Sequence, residues 1–113
     1  MILLKIAFLS NYLNHHQVEL CEALYNETEG DFRFIACEPI SDKRLSLGYQ
    51  DMNQRPYVIR TYESAEQQAE ADYWCLASDV VIHGAADEIY ISRRLKENLP
   101  VFRYTEQIGR AHV

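Results

Sequence analysis

LLKIAFLS, residues 3–10, is a short and almost unbroken apolar run with a single lysine in it. A strand with one face in water alternates. A run of this kind suits a strand buried on both faces, as in a parallel sheet covered by helices above and below. The next stretch makes it part of a repeating unit. Asn14 and Gln17 stand at capping-box spacing, and Val18, Cys21, Leu24 and Tyr25 then recur at helical intervals until Glu29 and Gly30 stop the pattern.

Further along, DFRFIAC (residues 31–37) alternates and then turns apolar, predicting a second strand that ends before Glu38 and Pro39. Residues 41–55 mix charges with Gly48 and Asn53 and read as a loop with one helical turn. PYVIRTY (residues 56–62) is β-branched and aromatic, the composition of a strand. Ser64 with Gln67 opens a second helix to Ala77, with Ala65, Ala69, Tyr73 and Leu76 expected inward. DVVIH (residues 79–83) is a fourth, buried strand, and Gly84 turns the chain. Asp87 and Glu88 suit the first turn of a third helix, Arg93, Arg94 and Lys96 its last turn, and Asn98 and Pro100 end it. VFRY (residues 101–104) is the fifth strand. Such alternation predicts an α/β fold, a Rossmann-like doubly wound parallel sheet of about five strands with right-handed crossovers, in an order such as 3-2-1-4-5.

The chain has 113 residues, 48% of them apolar and 25% charged, which fits one domain with its own core. Its net charge of −6 is scattered and would repel phosphate backbones, so nucleic acid is not an expected partner. No segment has the apolar length of a membrane span, and residues 2–9 carry Lys5 and no small-residue cleavage site. Cys21, Cys37 and Cys75 lack CxxC spacing and fall in apolar segments, as buried reduced thiols would. A cytoplasmic location is expected.

QIGRAHV, residues 107–113, is set apart. Back-translated, it matches the start of a common sequencing adapter, and it has no apolar period. Residues 107–113 are therefore expected to be a non-native tail on an incomplete domain of residues 1–106.

In open parallel sheets ligands bind beyond the carboxyl ends of the strands. That rule selects Ser10, Asn11, His15 and His16 after the first strand, Glu38 after the second, His83 and Gly84 after the fourth, and Glu106 after the fifth. The first turn reads SNYLNHHQ rather than GxGxxG, and GxxxxGK[ST] occurs nowhere, which argues against a pyrophosphate-binding turn. A phosphorylation receiver would need acidic residues where Ser10 and Asn11 stand. Metal binding would require ligands beyond His15, His16 and His83, so no metal or cofactor is expected. His15 and His16 at a helix start also fit capping or solvated residues, and Tyr73, Trp74 and Tyr90 fit packing.

The segments LKIAFLSNYLNHHQVELCEALY, FRFIACEP, PYVIRTY, ADYWCLASDVVIHG and VFRYTE together resemble the start of bacterial glycosyltransferases of the two-domain GT-B architecture. The resemblance spans nearly all of residues 3–106, and SNYLNHHQ and VFRYTE are its most specific parts. It implies the N-terminal, acceptor-side lobe of an enzyme moving a sugar from a nucleotide-sugar donor to a sugar, glycan or lipid acceptor, with peripheral membrane association open to the full-length enzyme. The donor would bind a C-terminal lobe that this stretch does not contain, leaving the fragment inactive alone. The resemblance places His16 and His83 as catalytic, and Ser10, Asn11, His15, Gly84 and Glu106 as substrate-binding. A nucleotide-sugar epimerase on the same half-fold, or a stand-alone α/β binding or regulatory domain, are the alternative readings.

Overall fold

The computed structural model describes residues 3–104. Five strands form one parallel sheet: β1 (Ile6–Ser10), β2 (Phe32–Ala36), β3 (Val58–Arg60), β4 (Val80–His83) and β5 (Val101–Arg103). Their order is β3-β2-β1-β4-β5, with every pairing parallel. Four helices connect them: α1 (His15–Glu27), α2 (Asp42–Ser46), α3 (Ala65–Ala77) and α4 (Ser92–Lys96). This is the doubly wound, Rossmann-like α/β fold expected from the sequence. The expected non-native tail, residues 107–113, lies outside the described residues. Among the described residues, no helix is long and apolar enough to cross a membrane.

Each face of the sheet carries its own core, because successive strand residues point to opposite faces. Ile6, Phe8, Phe32, Phe34, Ala36 and Val58 face the α1 side, where they meet Cys21, Leu13 and Tyr57. Ala7, Leu9, Ile35, Ile59 and Val81 face the other way, against Ala71, Trp74 and Cys75 of α3 and against Ile91. All five residues of β1 are buried, as a central strand with two covered faces requires.

The expected inward face of α3 is corrected. Tyr73 is 57% exposed and Ala65 and Ala69 are exposed, whereas Ala71, Trp74 and Cys75 are buried. Four alanines spread around this helix give little direction, and the bulk of Trp74 sets the face that packs. The third expected helix is also split. Asp87 Oδ1 accepts from Ile89 N–H (2.9 Å), as an N-cap would, but only a 3-10 turn (Glu88–Tyr90) follows before α4. Ile91, fully buried, sits at the junction with φ −111° and ψ 0°, and α4 begins there without a side-chain cap.

Arg94, on α4, is 1% exposed. Its guanidinium donates to the carbonyls of Cys75 (3.4 Å), Leu76 (3.2 Å) and Ser78 (2.6 Å) at the end of α3, and to those of Asp79 (3.2 Å) and Pro100 (2.8 Å). It thus caps a neighbouring helix rather than the end of its own, and joins α3, β4 and the start of β5. Burial holds its pKa below the usual arginine value.

Candidate functional site

Ser10 and His83 end adjacent strands, since Leu9 and His83 are register partners. The two chains leaving the sheet there pass very close to each other. Gly84 N–H donates to the Leu9 carbonyl (2.7 Å), and Ala85 N–H donates to Ser10 Oγ (3.1 Å). A Cβ on Gly84 would lie 2.9 Å from Ser10 Oγ and 3.2 Å from Ser10 Cβ. Close approach, not an unusual backbone angle, is what asks for glycine. Ser10 Oγ also donates to Asn11 Oδ1 (3.4 Å), which accepts from Tyr12 N–H (2.7 Å).

A cavity of ≈ 380 Å³ opens over this contact, on the α1 face of the sheet. Ser10, Gly84 and Ala85 form its base, and Tyr104, packed edge-on against Phe8 at 5.2 Å between ring centroids, closes one side. The opposite wall comes from Asn11 and Tyr12, from Asn14 and Gln17 at the start of α1, and from Arg44 of α2. A larger cavity of ≈ 450 Å³ lies between α3 and α4, away from the strand ends; the Arg94 in its wall already serves five carbonyls. The carboxyl-edge cavity is the one where open parallel sheets bind ligands.

Gln17 does not complete the capping box expected of it. Asn14 Oδ1 caps α1 by accepting from His16 N–H (3.0 Å), while the Gln17 side chain turns inward, 3% exposed, with its Oε1 lacking a hydrogen-bond partner among the described residues. Four positions before the buried Cys21, it occupies the inward stripe of α1, a signal the sequence did carry. Arg44 had none. It lies on a five-residue helix, its guanidinium 5.5 Å from the ring centre of Tyr12 and 5.2 Å from that of Tyr49. It is the only charged residue among the described lining residues.

Of the residues expected to form one cleft, Ser10, Asn11 and Gly84 are brought together. The histidines are not, and the expectation of a single cleft holding them is corrected. His15 and His16 are exposed on the first turn of α1, their rings 4.0 Å apart, with His15 stacked on Tyr49 at 5.9 Å. Neither lines the cavity. His83 points to the α3 side, sharing the alternation of Val81, and is 3% exposed. Sequence position put all three at the carboxyl edge, but the pleat sends Ser10 and His83 to opposite faces. Glu106 lies outside the described residues.

On its own face His83 belongs to a small polar chain. Arg103 Nη1 lies 3.0 Å from His83 Nδ1 and 2.9 Å from Glu88 Oε2. A guanidinium donates and cannot accept, so Nδ1 is the accepting nitrogen and the ring proton sits on Nε2. That Nε2 is buried without a hydrogen-bond partner among the described residues. The hydrogen bond from Arg103 holds the Glu88 carboxyl below its ordinary pKa.

Asn53 also went unsuspected. Buried at 1% exposure, its Oδ1 accepts from Leu13 N–H (2.9 Å), while Nδ2 donates to the Glu38 carbonyl (3.2 Å) and the Tyr62 hydroxyl (3.0 Å). It supports the cavity wall from behind by fixing the loop that leads into α1.

Among the described residues, no group of three His, Cys, Asp or Glu side chains could hold a metal ion. Compared with protein-family models, curated proteins and solved structures, the chain matches none.

Proposed function

We propose that this chain is the acceptor-side, N-terminal lobe of a two-domain glycosyltransferase with GT-B architecture. The observation that carries the reading is the cavity over Ser10 and Gly84, at the carboxyl edge beside the central strand, lined mostly by neutral hydrogen-bonding side chains. Neutral hydroxyl and amide groups suit a hydroxylated ligand, because each ligand O–H both donates and accepts. The turn after β1 has no glycines to close around a pyrophosphate, so the nucleotide sugar is assigned to a second lobe.

In this reading the cavity holds the acceptor and orients its reacting hydroxyl toward the cleft between lobes, which lowers the entropic cost of transfer. His16, exposed at the start of α1, is the group able to meet a hydroxyl from the solvent side. His83 enters differently. With Nδ1 occupied by Arg103 and Nε2 buried on the α3 face, it offers the acceptor no basic nitrogen and is kept as a structural neighbour of the cavity base.

Calorimetry of this chain with nucleoside diphosphates and nucleotide sugars tests the division of labour. No measurable heat is expected, and micromolar affinity for either would overturn the assignment of the donor to another lobe.

A further inference from the structure

We infer that a second cavity, at the free edge of β3, is an anion site that takes a phosphate group, either free or at the end of a small molecule. It shares no lining residue with the cavity over Ser10 and Gly84, so it stands whether or not that cavity holds an acceptor.

This cavity, ≈ 310 Å³, lies between the edge strand and α3. Its wall contains Arg33 of β2, Arg55 just ahead of β3, Arg60 at the end of β3, and Gln67 and Glu70 of α3. The chain has 17 Asp and Glu against 11 Lys and Arg, so an arginine has carboxylates to spare. Three guanidiniums nevertheless share one cavity, with Glu70 the only carboxylate in its wall. Arg60 is paired with Glu63 at 2.8 Å. Arg33 and Arg55 have no carboxylate within ion-pair distance among the described residues.

How each arginine is held decides what it can still bind. Arg33 Nη1 donates to the carbonyls of Gly30 (2.8 Å) and Phe32 (2.7 Å), and the guanidinium lies 4.9 Å from the ring centre of Trp74. Those contacts fix its plane and leave its other N–H groups unused. Arg55 Nη2 meets the Met52 sulfur at 3.7 Å, a weak acceptor. Arg60 is committed to Glu63 and to the Asn53 carbonyl (2.8 Å), and contributes its charge. Gln67 spends its Oε1 on the Arg60 N–H (2.8 Å), which leaves its amide donors for the cavity. All three arginines are half-buried, oriented by the protein yet reachable from solvent.

Like charges around one cavity repel, and an anion between them reverses the sign of that interaction. A guanidinium fork matches paired oxygens. A carboxylate has one such pair and serves one fork, whereas the three terminal oxygens of a phosphate can serve Arg33 and Arg55 together. The volume is at the lower end of small-molecule sites, which suits a phosphate with a short polar body.

The test is an amide NMR titration of this chain with glycerol 3-phosphate, inorganic phosphate, acetate and glycerol. At least one of the two phosphates is expected to shift the Arg33, Arg55, Arg60 and Gln67 amides saturably, with a Kd of about 1 mM and about tenfold or more tighter than acetate. Equal affinity for the two assigns the site to free phosphate, and a tighter ester assigns it to a phosphorylated small molecule. Arg55→Gln should weaken binding by about tenfold, and Arg55→Lys, which keeps the charge without the fork, should restore only part of it. Arg33→Gln gives a second reading from another strand, and the amide spectrum reports whether each variant folds. Phosphate binding no tighter than acetate, shifts confined to other amides, or full affinity in both Arg→Gln variants would each overturn the inference. Millimolar affinity stays below the micromolar range that bears on the donor lobe. Nucleotide binding that survives Arg55→Gln would therefore count against the acceptor-side reading alone.

Discussion

Asn53 Oδ1 accepts the Leu13 amide proton at 2.9 Å, across 40 positions of sequence, while the same side chain donates to the Glu38 carbonyl and the Tyr62 hydroxyl. One buried amide thereby joins the segments that follow β1, β2 and β3. Asn53→Ala leaves the Leu13 donor and the Glu38 acceptor without their partner, and should lower stability by about 2–4 kcal/mol in urea unfolding. The Leu13 amide should also exchange with solvent much faster. A loss below about 0.5 kcal/mol, the scale of ordinary surface changes, would show that water replaces the amide without penalty.

Arg94 should tolerate no substitute. Its fork reaches carbonyls from the end of α3, from Asp79 and from Pro100, a spread that an ammonium on a single stem does not match. Arg94→Lys and Arg94→Met are both expected to cost about 3 kcal/mol or more in denaturant unfolding. Full rescue by lysine would mean that positive charge at the end of α3, rather than the hydrogen bonds, is what matters.

The order of the sheet could be read directly, because β1 and β4 are short apolar runs and alternating helices leave little choice of topology. The cavity was only half legible. Topology placed Ser10, Asn11 and Gly84, since the ends of parallel strands share an edge. Gln17 on α1 and Arg44 on α2 meet there from separate elements, with Asn53 bracing the wall from behind, and no local pattern announces such a meeting. His83 shows the opposite failure. Its position at a strand end was right, and the period-two pleat of the strand then sent it to the α3 face. In α3 the apolar period existed for two faces at once, and only the size of Trp74 separated them.

Gly84→Ala should disturb the base of the cavity. The new methyl would meet Ser10 Oγ at 2.9 Å, and that oxygen is held by its hydrogen bond from Ala85 N–H. Destabilisation of about 1–3 kcal/mol is expected, the usual range for overpacking. Adding Ser10→Gly, which removes the opposing atoms, should recover part of it in a double-mutant cycle. Strict additivity of the two changes would mean that the clash is relieved elsewhere.

Alkaline pH should unfold the chain earlier than its net charge suggests. Burial pushes the Cys21 and Cys75 thiols up to about 12 and the Cys37 thiol up to about 11, against 9.0 for an ordinary thiol. Above pH 9.0 the unfolded chain therefore releases protons that the folded chain still holds. Stability is complete below that pH and falls as pH rises toward the folded values, by up to about 1.4 kcal/mol per pH unit for each thiol. The Tm should be nearly constant from about pH 7 to 8.5 and drop steeply above 9 to 10. Replacing Cys21 and Cys75 with Ala should flatten that decline; an unchanged slope would assign it to other groups, Tyr57 among them, whose buried phenol is also raised.

The central position of β1 has a consequence for how the molecule is made. Ile6 pairs with Phe32 on one side and with Val80 on the other, so the strand synthesised first needs a partner made 74 positions later. At roughly 5–20 residues per second, that interval lasts on the order of 4–15 s on the ribosome. Throughout it, a strand whose five residues are all destined for burial has one edge unpaired and both faces incompletely covered. Parallel pairing is slow because the loop must close before the contact rewards it. The nascent chain therefore passes through a window in which β1 is the natural target of a chaperone, and the arrival of β4 is the event that closes it.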